Sequence, residues 1–160
     1  QIYYVGNKAL MNENNILIGT YEQTKANTLQ EEAKTVVYFA DAKQILIIVA
    51  IADKVKPSSA KAISQLQKDG INVYMLTGDN KQTANAVAKQ VGLKHFKAEV
   101  LPTQKSDFIK ELQKQGKVVA MVGDGINDSQ ALAQSDVSIA MGKGSDIAID
   151  VAKMTIISPI

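Results

Sequence analysis

The sequence predicts an α/β protein built on a doubly wound, Rossmann-like parallel sheet, preceded by part of a small antiparallel α+β domain. Two patterns support this fold class. From residue 45 onward, short apolar segments alternate with amphipathic segments of about 11 residues, as in strands joined by right-handed crossover helices. Residues 1–44 lack this alternation. We therefore predict one unit over residues 1–44 and an α/β domain over residues 45–160.

Residues 1–44 contain three predicted strands, at residues 2–5, 16–19 and 35–40. The polar segment 24–34 is compatible with either a helix or a loop. These features predict the end of a separate antiparallel unit. Residues 53–57 are predicted to be the connection on the far side of the first strand of the α/β domain.

The α/β domain begins with residues 45–52, a continuous β-branched apolar run that predicts a strand buried on both faces. This is the longest apolar run of the chain, and a membrane-spanning helix needs roughly 20 such residues. Further strands are predicted at residues 73–76, 96–100, 118–122, 137–141 and 154–157, and the strand at 118–122 is expected to be buried like the first. Helices are predicted at residues 58–68, 81–91, 128–133 and 146–152, and from Pro102 to a stop at Gly116.

The charge of the chain argues against a nucleic-acid partner. The net charge is +2 and all 18 basic residues are Lys, so no guanidinium fork is present to bind bases or phosphates in a bidentate manner. Cys is also absent, which excludes disulfides, thiolate metal ligands and a Cys nucleophile. The chain shows no signal-peptide pattern and does not begin with Met. We expect a soluble piece of a longer protein.

Polar residues follow three strands of the predicted sheet, and ligands of doubly wound sheets bind beyond such strand ends. Thr77 and Gly78 offer a hydroxyl and an unobstructed N–H to a phosphoryl oxygen. Lys105 offers a mobile positive charge to the same group. Asp124 and Asp128, on a glycine-flanked loop, are hard oxygen donors that suit Mg²⁺. Together these residues predict a site that stabilises a transferring phosphoryl group.

Each of these residues also has a purely structural interpretation. Residues 77–80 could be a strand-to-helix turn with Asp as the N-cap, and the loop after residue 122 could be an ordinary glycine turn. Lys105 taken alone is typical of a solvated helix residue, and Asp128 could be a helix cap. Their joint occurrence at successive strand ends favours the phosphoryl site. His95, the only His, is assigned no role.

The same segments resemble a known family. TGDN at residues 77–80, LPxxK at 101–105, GDGIND at 123–128 and AMGxGxDxA at 140–148 resemble the P-type cation-transporting ATPases. VGNxxLM at residues 5–11 is similar to the nucleotide-domain signature of the heavy-metal, copper-type branch, and DKVKP at 53–57 resembles the family's hinge. The resemblance covers essentially the whole chain, and the GDGIND block with the downstream AMGxG is its most specific part.

The resemblance implies a haloacid dehalogenase-like phosphorylation domain over residues 45–160 and the C-terminal part of a nucleotide-binding domain over residues 1–44. It implies that Asp124 and Asp128 hold Mg²⁺. It implies catalytic roles for the residues that contact the phosphoryl group or orient the metal loop: Thr77, Gly78, Asp79, Lys105 and Asn127. ATP binding is implied for Gly6, Asn7, Lys56 and Asp79.

Several parts of the family pattern are absent from the chain. The family's nucleophile is an Asp in a DKTGT sequence, and no DKTGT occurs here. The His-Pro element of the nucleotide domain and the membrane helices that would hold the transported ion are absent too. Because the nucleophile strand is central in the family's sheet, we expect unpaired strand edges. The missing segment is expected to come from a second chain, from upstream residues or from exchange with a neighbour.

The function implied by the resemblance is the cytosolic ATP-hydrolysing portion of a metal-exporting P-type ATPase, at the cytoplasmic face of a membrane, with Cu⁺ favoured over Zn²⁺ or Cd²⁺. ATP would phosphorylate an Asp, and hydrolysis of the aspartyl phosphate would drive ion movement. Two alternatives stay open. One is a catalytically inactive regulatory module that binds Mg²⁺ and nucleotide. The other is a soluble phosphatase of the same superfamily, although no DxD follows a convincing strand.

Overall fold

A computed structural model describes residues 2–142 and 145–156, and the chain divides into two compact units. The first unit ends at Glu99, and the second begins at Val100. Two positions used in the sequence analysis, Gly144 of the AMGxG motif and Ile157 of the last predicted strand, lie outside the described residues. Within the described ranges, no helix has the length and apolar character needed to span a membrane.

The first unit begins with a three-stranded antiparallel sheet. Its strands are β1 (Tyr4–Gly6), β2 (Thr35–Ala40) and β3 (Ile45–Ile51), and β2 is the central strand. Gly6 of β1 pairs with Tyr38 of β2, which in turn pairs with a residue of β3. This register places the segment after β1 beside the middle of β2.

Two helices pack on this sheet, α1 (Lys8–Glu13) and α2 (Thr20–Glu31). Because alternate residues of a strand point to opposite faces, every second residue of β2 is buried. These side chains form one apolar cluster with residues of α1, of α2 and of the connection between them. Its buried members are Met11, Ile16, Ala26, Val36, Tyr38 and Ala40.

Strand β3 differs from the prediction for residues 45–52. That run was expected to be buried on both faces of the parallel sheet, whereas β3 forms an antiparallel hairpin with β2. The Asp41 carboxylate stabilises the turn by accepting hydrogen bonds from two backbone N–H groups, at 2.8 and 2.9 Å. Ile47 and Val49 of β3 are 55% and 46% exposed. The expectation of burial on both faces is therefore wrong, and the hairpin includes residues on both sides of the boundary predicted between residues 44 and 45.

For two other segments of the first unit, the prediction from sequence was wrong or was left open. Residues 16–19, predicted as a strand, contain only an isolated bridge from Leu17 to Gln44, because Ile16 turns into the core and Gly19 is the N-cap of α2. The segment 24–34 was left open as a helix or a loop, and most of it lies in α2. Helix α1 was not predicted.

The rest of the first unit alternates helices and parallel strands. Its elements are α3 (Ser58–Lys68), β4 (Tyr74–Leu76), α4 (Lys81–Val91) and β5 (His95–Lys97). β4 and β5 pair in parallel, and α4 packs against both α2 and α3. Helix α4 ends at Gly92, whose φ of 72° is the left-handed conformation that glycine adopts without steric cost. The predicted bounds of α3 and α4 are confirmed.

The second unit is a three-stranded parallel sheet with helices. Its elements are α5 (Pro102–Lys114), β6 (Ala120–Gly123), a 3₁₀ turn (Ile126–Asp128), α6 (Ser129–Gln134), β7 (Val137–Met141), α7 (Asp146–Val151) and β8 (Met154–Ile156). The strand order is β6-β7-β8. Helix α6 packs against α5, α7, β6 and β7, and it contributes the buried residues Ala131 and Leu132. This packing fixes the loop between β6 and α6.

The predicted fold class is confirmed, since parallel sheets with helices follow a small antiparallel sheet. The parallel strands form two sheets, one of two strands in the first unit and one of three in the second. The expectation of a buried strand at residues 118–122 is wrong. Val118 lies before β6, which begins at Ala120, and is 83% exposed, and Val122 within β6 is 54% exposed. Within the described residues, β6 is an edge strand of its sheet.

Candidate functional site

The second unit brings Lys105 and Asp128 together. Helix α5 begins after Leu101, whose backbone N–H donates to the Gln104 side chain at 2.8 Å, and Lys105 lies in its first turn. The Lys105 Nζ is 2.7 Å from Oδ1 of Asp128. The two side chains are only 13% and 12% exposed. The ammonium group is therefore held at one carboxylate oxygen and shielded from most of the solvent.

The loop that carries Asp128 depends on close packing against glycine. A Cβ atom built on Gly123 would lie 2.7 Å from the Cβ of Asp128 and 2.9 Å from its Oδ2. No side chain fits there without moving the carboxylate. The backbone N–H of Gly125 donates a long hydrogen bond of 3.4 Å to the same Oδ2. One oxygen of Asp128 thus faces Lys105, and the other faces the glycine loop.

Asp124 and Asn127 lie on the same loop and are exposed. The loop is fixed beside Asp124 by a 2.7 Å hydrogen bond from the backbone N–H of Ser145 to its carbonyl oxygen. In the parts of the chain that the structure describes, no cluster of three or more His, Asp or Glu residues could hold a metal alone. Mg²⁺ commonly binds one or two carboxylates and takes its other ligands from water and phosphate. The donor set of this loop therefore fits Mg²⁺.

The first unit holds the second group of predicted residues, in the turn between β4 and α4. The Thr77 hydroxyl donates to Oδ2 of Asp79 at 2.9 Å, and the Asp79 N–H donates back to Oγ1 of Thr77 at 3.1 Å. The carbonyl oxygen of Asp79 accepts a 2.8 Å hydrogen bond from the N–H of Glu99. Gly78, between Thr77 and Asp79, is exposed. These contacts bring the hydroxyl and the carboxylate of the turn together.

Asp79 has a further partner that the sequence analysis missed. The hydroxyl of Thr35, the first residue of β2, donates to Oδ1 of Asp79 at 3.2 Å. The two residues are 44 positions apart, and no motif includes Thr35, so no sequence signal could have found it. The structural interpretation of residues 77–80 had Asp79 as the N-cap of α4. In the structure the N-cap is Asn80, whose side chain accepts a hydrogen bond from the Thr83 N–H at 3.0 Å.

Gly6 and Asn7 shape the start of α1. The Asn7 side chain caps this helix by accepting a 3.0 Å hydrogen bond from the Leu10 N–H. A Cβ atom on Gly6 would overlap the Leu10 side chain. The VGNxxLM segment therefore has a local structural role, because Met11 at its end is fully buried. The amide nitrogen of Asn7 is not used by this cap.

Of the predicted nucleotide residues, Asp79 contacts Thr77, whereas Gly6, Asn7 and Lys56 lie in other segments of the first unit. Lys56 is exposed in the segment between β3 and α3. Across residues 2–142 and 145–156, no hydrogen bond or ion pair connects Gly6, Asn7 or Lys56 to Asp79. The structure thus brings together Thr77 with Asp79, and Lys105 with Asp128. The convergence of all these groups on one phosphoryl group stays a prediction.

A family model matches most of the chain. The model describes a haloacid dehalogenase-like hydrolase and matches residues 1–136. That range includes every residue predicted for the phosphoryl, metal and nucleotide sites.

Curated relatives match the chain over nearly its full length. A protein of Enterococcus hirae named "Probable copper-importing P-type ATPase A" is 44% identical over 98% of the chain. The copper-exporting P-type ATPases of Staphylococcus epidermidis and Vibrio cholerae are both 46% identical, over 96% and 99% of the chain. The chain spans only 17% to 22% of the length of these three relatives. The resemblance to copper-type P-type ATPases is thereby confirmed.

Solved structures give the same result for the fold. A zinc-transporting PIB-type ATPase in the E2.Pi state superposes with a TM-score of 0.67 and 34% identity, over 94% of this chain and 24% of that one. The catalytic domain of the CPx-ATPase CopB-B superposes with a TM-score of 0.62 and 28% identity, over 72% of this chain and 46% of that one.

Proposed function

Because this chain belongs to the haloacid dehalogenase-like hydrolases, we propose that it is the ATP-hydrolysing portion of a metal-transporting P-type ATPase. The whole protein would lie in a membrane with this portion at the cytoplasmic face. Cu⁺ is the ion that we propose first, since the three curated relatives described above are named for copper. Zn²⁺ is the second candidate, supported by the similarity to a zinc-transporting PIB-type ATPase.

The observation that carries this proposal is the shielded pair of Lys105 and Asp128, whose Asp128 lies on the same loop as the exposed Asp124. A phosphoryl group in transfer carries negative charge on its equatorial oxygens. The Lys105 ammonium, held by Asp128 in a place with little solvent, would offset that charge. The fixed position of the ammonium limits the reorganisation needed during the reaction.

Asp124 is the residue that we propose as the first ligand of Mg²⁺. Asp128 would contribute as a second carboxylate only through Oδ2, because Oδ1 is paired with Lys105. Asn127 would orient the loop or the phosphate from the intervening 3₁₀ turn. When bound, Mg²⁺ would supply positive charge to the phosphoryl oxygens.

The remaining predicted residues complete the proposed roles. Thr77 and Gly78 would donate hydrogen bonds to a phosphoryl oxygen, and Asp79 would lie near the nucleotide end. ATP would be bound near Gly6 and Asn7, with Lys56 approaching the triphosphate, and the amide nitrogen of Asn7, which the helix cap does not use, would donate a hydrogen bond to it. The transported ion would bind in another part of the protein.

The nucleophile is the main group that this chain does not supply. The proposed reaction needs an Asp carboxylate that attacks the γ-phosphorus of ATP with release of ADP, followed by attack of water on the aspartyl phosphate. We propose that a segment carrying DKTGT supplies it as an additional strand. The exposed edge of β6 is a suitable acceptor, because a strand edge presents unpaired N–H and C=O groups.

The test is phosphorylation by γ-labelled ATP with Mg²⁺. The chain alone is expected to form no acid-stable phosphoenzyme, whereas addition of a segment that carries DKTGT should produce one. D124N should abolish the signal, and K105M should reduce it by at least about a hundredfold because one transition-state charge partner is lost. A stable phosphoenzyme on the chain alone would refute the account of the missing nucleophile.

A second candidate is a regulatory module that binds Mg²⁺ and nucleotide without chemistry. A coding sequence that starts close to Gln1 would favour it, whereas an upstream DKTGT followed by a His-Pro element would favour the transporter. Such a module would bind Mg-ATP but would show no phosphoenzyme when complemented. A soluble phosphatase of the same superfamily would instead hydrolyse a phosphomonoester without added segments, and that assay distinguishes it from both other functions.

A further inference from the structure

The Asp79 carboxylate lies between two hydroxyl groups from distant parts of the first unit. Oδ2 accepts from Thr77 at 2.9 Å, and Oδ1 accepts from Thr35 at 3.2 Å. All three side chains are partly buried. A carboxylate accepts hydrogen bonds at both oxygens, so the position of one hydroxyl constrains the orientation of the carboxylate that faces the other.

The proton of Thr77 is committed in this arrangement. A Thr hydroxyl has one proton to donate, and here Thr77 donates it to Asp79 while its oxygen accepts from the Asp79 N–H. Thr77 can donate to a phosphoryl oxygen only if that proton leaves Asp79. A second donor at Asp79 makes this exchange easier, because it leaves the carboxylate hydrogen-bonded after Thr77 has turned away.

Thr35 is held firmly enough to act as that second donor. It is the first residue of β2 and pairs with Ile51 of β3. The carbonyl oxygen of the preceding Lys34 accepts a 3.1 Å hydrogen bond from the hydroxyl of Thr83, which is 2% exposed. Lys34 and Thr35, at the start of β2, are thus hydrogen-bonded to helix α4 and to the turn that precedes it.

We infer that Thr35 is a positioning residue for the phosphoryl site: it holds the Asp79 carboxylate and, through it, sets the hydroxyl of Thr77. This inference rests on the proposed role of Thr77 as a phosphoryl contact. It connects β2 of the antiparallel sheet, through Asp79, to Thr77, the proposed phosphoryl contact. A shift at the start of β2 would therefore change whether the Thr77 proton points to Asp79 or to the phosphoryl group.

Three variants separate positioning from simple stabilisation. T35V removes the hydroxyl with little change in shape, and T35S restores a hydroxyl at the same position. T28V is the matched control, because the exposed Thr28 hydroxyl donates to the carbonyl oxygen of Thr24 within α2, and its removal alters no hydrogen bond of Thr35, Thr77 or Asp79. The first readout is the methyl NMR signal of Thr77 in the chain, assigned by selective threonine labelling.

We expect T35V to shift the Thr77 methyl signal, T35S to restore it, and T28V to leave it in place. In the intact ATPase, T35V should lower the rate of phosphoenzyme formation at saturating Mg-ATP about tenfold, the effect of losing one hydrogen bond to a charged group. The KM for ATP should change less than about twofold, since the proposed nucleotide contacts are unaltered. T35S should recover most of the rate, and T28V should keep it.

An unmoved Thr77 signal in T35V, or a T28V variant that reproduces the T35V defect, would overturn the inference. Failure of T35S to restore the rate would also count against it. If the wild-type protein forms no phosphoenzyme, the proposed function fails instead. The NMR comparison still tests the link from Thr35 to Thr77 in that case, so the two failures are distinguishable.

Discussion

The Lys105 ammonium and the Asp128 carboxylate form an ion pair at 2.7 Å across 23 residues of sequence. The pair joins the first turn of α5 to the end of the 3₁₀ turn before α6. Since both side chains are largely shielded from solvent, water contributes little to the solvation of either charge. The pair therefore links the stability of the second unit to the geometry proposed for phosphoryl transfer.

Removing one partner of this pair should destabilise the fold. D128N leaves the Lys105 ammonium without its counter-charge, and we expect a loss of about 2–3 kcal/mol in the free energy of unfolding. The measurement is urea unfolding of the chain followed by circular dichroism. D107N is the matched control, because Asp107 pairs with Lys110 on the surface, with side chains 69% and 50% exposed. That variant should change stability by less than about 0.5 kcal/mol.

The double variant K105M/D128N distinguishes the pair from other roles of Asp128. With both charges removed, no uncompensated charge remains buried. We expect the double variant to be more stable than D128N alone. Equal instability of the two would mean that Asp128 stabilises the loop without needing Lys105.

Glycine 123 should be required for the position of the Asp128 carboxylate. In G123A the added methyl group meets the Cβ and carboxyl atoms of Asp128, so the carboxylate or the strand must move, with an expected cost of about 1–3 kcal/mol. G125A is the control, because the nearest atoms that a Cβ on Gly125 would meet among the described residues lie at 3.8 Å, an ordinary contact distance. Thermal unfolding of both variants is the measurement. A G123A variant as stable as G125A would contradict this packing.

The sequence was sufficient to predict where several of the helices begin and end. Pro102, Gly92 and Gly116 mark helix starts and ends through their own backbone preferences. For the same reason, helices α3 and α4 have the predicted bounds. The family was also predictable, because the TGDN, LPxxK and GDGIND motifs occur along the chain in the order of that family.

Pairings between distant residues were not predictable. Lys105 was expected to face a phosphoryl group and Asp128 a metal ion, whereas the two are paired with each other. Nothing local to Thr35 indicates a contact with Asp79, since that contact depends on where β2 ends in space. Strand β3 shows the same limit, because a continuous apolar run is compatible with burial on both faces or with an exposed face such as that of Ile47 and Val49.

Asp136 should make the second unit sensitive to acid. Its carboxylate accepts a 2.8 Å hydrogen bond from the Val119 N–H, and this bond, followed by one from the Gln113 side chain, lowers the pKa of Asp136 from its usual 3.8. A lowered folded-state pKa gives stability that is present above the unfolded-state pKa and is lost as the pH falls through the folded-state value.

We therefore expect the urea midpoint of the wild type to fall more steeply than that of D136N as the pH is lowered from 5 to below the usual range of Asp. The variant should be less stable at neutral pH and should approach the wild type in acid. D150N, an exposed position on α7, is the control and should keep the wild-type slope. Parallel curves for the wild type and D136N would show that this hydrogen bond contributes no linkage.

Tyr38 should be a site where removal of an atom stabilises the protein. Its side chain is 1% exposed in the core of the first unit, and its hydroxyl has no hydrogen-bond partner among the described residues. Y38F removes the cost of burying that unpaired group, so we expect a gain of about 1 kcal/mol in thermal or urea unfolding at neutral pH. Y21F, at a position that is 76% exposed, should have no effect. Burial also raises the pKa of Tyr38 above its usual 10.0. The stability of the wild type should therefore fall as the pH rises above about 10, where the unfolded chain ionises first, while Y38F lacks this contribution. A variant that is less stable than the wild type at neutral pH would indicate that the hydroxyl has a bound partner, such as an ordered water.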